Sequence, residues 1–250
     1  TIIILDGYDF VESYQQKIKE FDFKLIYIDD LALGTQKADL IINHNPAAKE
    51  SDYKTEKYSS LALGIDYAIL RSSFLVPRDR IKLDEVAVFL CFGGADNKNL
   101  TLKTVEILLE IDQVTKVNIV IGEAYSNKAI FDLQKSSQKV NIYQNISGQE
   151  MLNLMLKSSC AVAPASGILM ELLSIGIPVL SGYYVENQKS FYNFLSAKNY
   201  ILGVGDFEEI KTANFKRALT QLVNNKIINK SIIDKNQKQR IIKKIKLVLR

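Results

Sequence analysis

Three short stretches hold residues whose types and spacing suit a grip on a phosphorylated ligand. The first is Phe92-Gly-Gly-Ala-Asp-Asn97. Gly93 and Gly94 permit a tight turn and let backbone N–H groups come close to a ligand, while Asp96 or Asn97 can cap a following helix. The second is Ala163-Pro-Ala-Ser-Gly167, which runs into Ile-Leu-Met-Glu171. Ser166 stands where it would cap a helix whose free N–H groups and positive dipole end attract phosphate. Gly167 and Glu171 are four residues apart and share a helix face, so the carboxylate is placed to reach a ribose while the helix start holds a diphosphate. The third is Ser181-Gly-Tyr-Tyr-Val-Glu-Asn-Gln188. Each also has a plainer reading: a capped turn without ligand, an N-cap followed by a solvated glutamate, and a loop. The first stretch is not the dinucleotide fingerprint G-x-G-x-x-G.

Other reactive side chains are sparse. His44, the single histidine, stands between Asn43 and Asn45 after an apolar run, which reads as a polar loop position. Asp29-Asp30 closes another run. The pair is adjacent, with no cluster of His or Cys beside it, so a turn-and-cap role is expected rather than a metal site. Cys91 and Cys160 sit in apolar runs (VFLCF and SSCAVA) and are expected as buried, reduced thiols, in keeping with a cytoplasmic location.

These stretches need elements to position them. Short β-branched or apolar runs alternate with longer amphipathic ones, the pattern of parallel strands joined by crossover helices. The expected strands are Ile2–Leu5, Leu25–Ile28, Leu40–Asn43, Val86–Phe92, Val117–Ile121, Val140–Tyr143, Cys160–Ala163 and Pro178–Leu180. Helical patterns fall at about 98–111, 126–137, 148–157, 167–175, 188–198, 206–225 and 231–249. All three motifs thus lie at the carboxyl ends of strands, where open α/β sheets bind ligands.

The organisation this implies is two Rossmann-like domains. Residues 1–75 form the remainder of an N-terminal domain, 76–85 a polar linker with Pro77, 86–205 a nucleotide-sugar-binding domain, and 206–250 closing helices. A parallel strand at the start of the chain would leave an open neighbour, so the N-terminal domain is expected to be incomplete here.

Composition narrows the class. The chain is 47% hydrophobic and 24% charged, with mean hydropathy of zero, which supplies apolar material for two cores in 250 residues. No run approaches the roughly 18 apolar residues of a membrane helix. Net charge is +4, but residues 226–250 hold nine Lys and Arg against Asp234 alone, leaving the first 225 residues at −4. That balance argues against nucleic acid as a partner. The basic tail reads as a solvated helix, or alternatively as a peripheral hold on an anionic membrane surface through Ile232, Ile233, Ile241, Ile242, Ile245 and Val248.

The order GGAD, then ASG-x3-E, then G-x-P followed by Asn187-Gln188 resembles the C-terminal domain of the MurG-like, glycosyltransferase-B nucleotide-sugar enzymes. The first third is more specific. Asp6-Gly-Tyr8, Ile28-Asp-Asp-Leu31, Leu40-Ile-Ile-Asn43, Asn45, Ser51-Asp-Tyr53, Gly64, Tyr67-Ala-x-Leu-Arg71 and Phe74 come in the order and spacing of one family. That family is the UDP-2,4-diacetamido-2,4,6-trideoxy-β-L-altropyranose hydrolases of pseudaminic acid biosynthesis. Asp234 and Arg240 resemble its closing pattern, and the resemblance runs over nearly all of the chain.

The resemblance implies a reaction in which water displaces UDP at the anomeric carbon with inversion, using no metal or other cofactor. It implies UDP near Gly94, Asp96, Ser166, Glu171 and Gln188, and the sugar in the interdomain cleft. Tyr8 and Asn187 match positions expected to arrange the water. The family's histidine from a G-x-G-H-x-x-R segment is not in this sequence. Two rivals stay open: a glycosyltransferase with a UDP-sugar donor, and a nucleotide-sugar-binding module that lacks its catalytic base.

Overall fold

A parallel strand pair needs a long return connection, and a helix supplies one while covering the sheet face. The computed structural model describes residues 1–76, 83–224 and 231–249. Residues 77–82 of the expected linker, residue 225 of the expected helix, and 226–230 and 250 of the basic tail lie outside the described residues. The chain divides into two compact units, Thr1–Ile69 with Ile233–Arg250, and Leu70–Ile232.

Unit 1 opens with β1 (Ile2–Asp6), α1 (Glu12–Glu20), β2 (Lys24–Ile28), β3 (Thr35–Gln36), β4 (Leu40–Asn43), β5 (Lys54–Thr55) and β6 (Ser60–Leu63). Its main sheet runs β1-β2-β4-β6, with every pairing parallel, and β3 pairs with β5 at its side. β4 is buried at all its positions, as an inner parallel strand must be. On one face Leu5, Leu25, Tyr27 and Ile41 pack with Ile18 of α1. On the other, Ile26, Leu40, Ile42 and Ala62 meet Ile241, Ile245 and Val248 of the closing helix, Gln237–Val248. Neither α1 nor β6 is legible as an apolar run. α1 buries Gln15, whose amide donates to Phe10 O (2.9 Å) and Gln36 Oε1 (2.8 Å) and accepts from Lys37 N (2.9 Å). A polar side chain holds that core, so no hydrophobic period marks the helix.

Unit 2 continues with β7 (Ala87–Leu90), α2 (Leu100–Leu109), β8 (Lys116–Ile121), α3 (Ala129–Ser136), β9 (Val140–Gln144), α4 (Gly148–Leu156), β10 (Cys160–Pro164), α5 (Gly167–Ile175), β11 (Val179–Tyr183), α6 (Lys189–Ala197), β12 (Leu202–Asp206) and α7 (Thr212–Asn224); the closing helix of unit 1 is α8. Its six parallel strands lie in the order β9-β8-β7-β10-β11-β12. Counted within the unit this is 3-2-1-4-5-6, the doubly wound order of dinucleotide-binding sheets, with its switch point between β7 and β10. Those two strands are in register at Cys160↔Val88, Ala161↔Phe89 and Val162↔Leu90. The core gathers Val88, Leu90, Ile119, Val162, Leu180 and Leu219. Phe92, Phe207 and Phe215 join it edge to face, at 4.9 and 6.0 Å between centroids. β12, Leu-Gly-Val-Gly-Asp, is too glycine-rich to show as an apolar run. At Gly203 a Cβ would lie 2.5 Å from Ser196 Oγ and 2.6 Å from the Tyr192 hydroxyl, so a larger residue there would push both side chains aside.

Candidate functional site

At the switch point the chain leaves β7 and β10 toward opposite sides, so the loops that follow them part and open a crevice. The loop after β7 holds Gly93 at φ +94°, a conformation natural to glycine. It closes on Asp96, a buried carboxylate that accepts from Leu100 N (3.0 Å) and Thr101 N (2.7 Å) and so caps α2. This is the capping role that the sequence offered for Asp96 or Asn97. The loop after β8 supports this one from beneath. A Cβ on Gly122 would fall 2.5 Å from Gly94 Cα and 2.7 Å from the Gly94 carbonyl oxygen, so the two backbones touch.

Across the crevice, Ser166 occupies the N-cap position of α5 without a side-chain capping bond, and a Cβ on Gly167 would meet only open space. The result is a cavity of about 330 Å³ lined in part by Gly93, Gly94, Gly122, Asn145, Ser166 and Ile168. Among the described residues its lining carries no Asp, Glu, Lys or Arg. The Cys91 thiol, the one titratable group among the described lining residues, is pushed up to about 11 by burial and stays protonated. Both cysteines are buried and neither is in a disulfide. What faces the cavity electrostatically is therefore a helix N-terminus and glycine backbone, a setting that favours an anion.

Glu171 lies one turn into α5 and is only 6% exposed. Both its oxygens are taken by Arg71, Nε reaching Oε1 at 2.6 Å and Nη2 reaching Oε2. Arg71 lies over the ring of buried Phe74 (5.5 Å) and against Gly148 at the start of α4. In the third junction, Gln188 is buried and accepts from Tyr184 N (3.2 Å), while Asn187 is exposed. Tyr184 in turn donates to Phe92 O (3.4 Å), tying this loop to the one after β7. Thus Gly93, Gly94 and Ser166 line one cavity with Gly167 at its helix start, whereas Asp96, Glu171 and Gln188 are turned onto protein partners. Gly122 and the role of Arg71 went unread in the sequence. A glycine closing the apolar run of β8 was the available signal for the first; nothing local signals the second.

Unit 1 has a cavity of its own, about 270 Å³, at the carboxyl ends of β1, β2 and β4. Tyr8, Tyr27, Asp6, Asp29, Asp30 and His44 line it. The Tyr8 hydroxyl donates to Asp30 (2.9 Å). Asp29 accepts from Ala32 N (2.9 Å), Leu31 N (3.3 Å) and the Tyr53 hydroxyl (2.7 Å), the turn-building role its pairing with Asp30 suggested. Burial, reinforced by Asp29 and Asp30, pushes the Tyr27 phenol up to about 12. Burial also holds the His44 imidazole below its ordinary value, against the opposing pull of Asp30 and Asp6. Among the described residues, no group of three or more His, Cys, Asp or Glu side chains is placed to hold a metal ion. No helix of the described residues is long and apolar enough to cross a membrane.

No family model matches the chain. It is 30% identical over 203 residues to the UDP-2,4-diacetamido-2,4,6-trideoxy-β-L-altropyranose hydrolase of Campylobacter jejuni, across 80% of this chain and 72% of that protein. The chain belongs to that hydrolase family. The chain is also 29% identical to an uncharacterised protein of Methanocaldococcus jannaschii (77% of this chain, 42% of that one). It is 25% identical to the spore coat polysaccharide biosynthesis protein SpsG of Bacillus subtilis (76% and 58%). It therefore spans about two fifths to three quarters of the relatives it matches. Among solved structures it is similar to Acinetobacter baumannii MurG (TM-score 0.61, 12% identity, 97% of this chain and 72% of that). It is equally similar to the UDP-GlcNAc 2-epimerase of Methanocaldococcus jannaschii (TM-score 0.61, 11% identity, 98% and 75%). Identities this low speak for the fold alone, which is of the glycosyltransferase-B type.

Proposed function

We propose that the protein hydrolyses a UDP-linked 2,4-diacetamido-trideoxy sugar, releasing UDP and the free sugar for nonulosonic (pseudaminic) acid biosynthesis. The observation that carries the reading is the crevice at the switch point of unit 2, walled by Gly93, Gly94 and Gly122, without charge among its described residues and facing the start of α5, in a chain of that hydrolase family. The diphosphate takes the N-terminus of α5, where Ser166 and the first free N–H groups donate to it. As the anomeric C–O bond breaks, its electron pair passes to the diphosphate. Donors already aimed at that oxygen stabilise the growing charge without having to reorganise. Water forms the new bond to the anomeric carbon, and the proton it loses passes to bulk solvent, since the family's base histidine is not in this sequence. Tyr8 and Asn187 are assigned to arranging that water, and the Tyr8 bond to Asp30 supports the assignment by fixing its phenol. Glu171, held by Arg71, keeps a lone pair on each oxygen for a ribose hydroxyl.

Calorimetric titration with UDP tests the binding step, and UDP release from the sugar nucleotide tests the chemistry. Ser166→Asp puts a carboxylate where the phosphate would sit and is expected to weaken UDP at least tenfold. No detectable binding by the folded chain at millimolar UDP would refute the reading. UDP release only with an added acceptor would replace hydrolysis by glycosyl transfer. Binding without any release would mark the chain as a binding module.

A further inference from the structure

The cavity of unit 1 contrasts with that of unit 2 in charge. Among the described residues its lining holds three carboxylates, two phenols and one imidazole, and no Lys or Arg. Such a wall repels a diphosphate and accepts hydrogen bonds from a neutral, donor-rich molecule. At about 270 Å³ it stands at the small end of ligand cavities, with room for one ring rather than a whole nucleotide.

Most of the polar lining is already committed. Asp29 is taken by two backbone amides and Tyr53, Asp30 accepts from Tyr8, and Tyr27 donates to Gly7 O (3.2 Å). His44 has no hydrogen bond to any described residue. Its backbone is nevertheless pinned from both sides. Asn43 donates to the Tyr53 hydroxyl (2.8 Å) and accepts from Asn45 N (2.8 Å), while Asn45 accepts from Ala47 N (2.9 Å). Two locked asparagines thus present an uncommitted imidazole to a cavity. Among the described residues, the titratable groups that line the cavity with it are Asp6, Tyr8, Tyr27, Asp29 and Asp30.

We propose that His44 is the residue with which this cavity reads a neutral sugar, its imidazole accepting a hydrogen bond from a ring hydroxyl or acetamido N–H. The proposal rests on the UDP-sugar reading above and adds to it a contact on unit 1. Burial, which keeps the ring uncharged near neutral pH, leaves one nitrogen free to accept.

His44 is the single histidine of the chain, so its imidazole signals in a proton–nitrogen NMR spectrum can be followed without ambiguity. The intact chain is titrated with UDP-2,4-diacetamido-2,4,6-trideoxy-β-L-altropyranose, with the free sugar, and with UDP alone, alongside calorimetry. Both sugar-bearing ligands are expected to shift the His44 resonances, and UDP alone to leave them in place. His44→Leu is expected to weaken the sugar nucleotide about tenfold with UDP affinity unchanged, the size of one lost hydrogen bond, and His44→Gln to recover part of that loss. Calorimetric binding of the sugar nucleotide with unmoved His44 signals would overturn the proposal, as would an equal shift with UDP alone. If neither nucleotide binds, the UDP-sugar reading fails by itself. The free-sugar titration then decides for His44, a shift upholding it and no shift refuting it.

Discussion

A methyl group on Gly122 would lie 2.5 Å from Gly94 Cα, well inside the separation at which carbon atoms attract. Gly122→Ala is therefore expected to drive the loop after β7 off its support. The cost is about 1–3 kcal/mol of stability, together with a loss of UDP affinity of at least tenfold. Gly94→Ala makes the paired comparison, because its Cβ would meet nothing within 4 Å. It should leave the denaturation midpoint in place and lower UDP affinity alone, by filling the crevice. Urea unfolding and calorimetry on the two variants check this, and equal stability for both would show that the backbone contact carries no strain. Residue spacing located this loop but not the direction of its side chains. Asp96 turns to α2, Glu171 to Arg71 and Gln188 to Tyr184 N.

The basic closing helix shows the same limit at the scale of elements. α8 carries apolar residues that the sequence left open to a peripheral hold on a membrane surface. Ile241, Ile245 and Val248 lie on Ile26, Leu40, Ile42 and Ala62 of the unit 1 sheet. Lys244 reaches Leu61 O (2.8 Å) and Ser60 Oγ (3.3 Å) on β6. Arg240 holds Asp234 and lies 3.6 Å from Asp66, and that pairing keeps the Asp234 carboxyl far below the usual carboxylate range. The tether contributes stability above the unfolded carboxylate value and loses it only in strong acid. Ile241→Ala and Ile245→Ala are each expected to cost about 1–2 kcal/mol, less than full burial would give. Amide exchange should quicken in β2 and β4, which the helix covers. Unchanged exchange there would mean that the sheet holds without α8.

For the whole molecule, each unit has its own sheet, core and cavity, and the proposed nucleotide site belongs to one of them. A ligand that binds only the folded form stabilises it by about 2.7 kcal/mol at a hundredfold excess over Kd. UDP is accordingly expected to slow amide exchange in β7, β10 and α5 of unit 2 and to leave β4 and β6 of unit 1 unprotected. Protection confined to unit 1 would move the nucleotide site there and refute the switch-point assignment.

The strands that are buried on both faces, β4, β7 and β10, were legible because such a strand is a continuous apolar run wherever it occurs. The glycine-bearing junctions after β7 and β10 were legible for a related reason: a tight strand-to-helix turn constrains its own residues. Membership of the hydrolase family was legible too, in stretches such as Asp6-Gly-Tyr8 and Tyr67-Ala-x-Leu-Arg71. What tertiary structure decided was adjacency. The order 3-2-1-4-5-6 sets the first and fourth strands side by side and so brings Gly93 and Gly94 opposite Ser166. Gly122 meets Gly94, Arg71 meets Glu171 across a hundred positions of chain, and α8 closes over β4. Local patterns record which face of an element is buried. They do not record which distant element buries it, because that choice depends on packing among segments that no window of neighbouring residues contains.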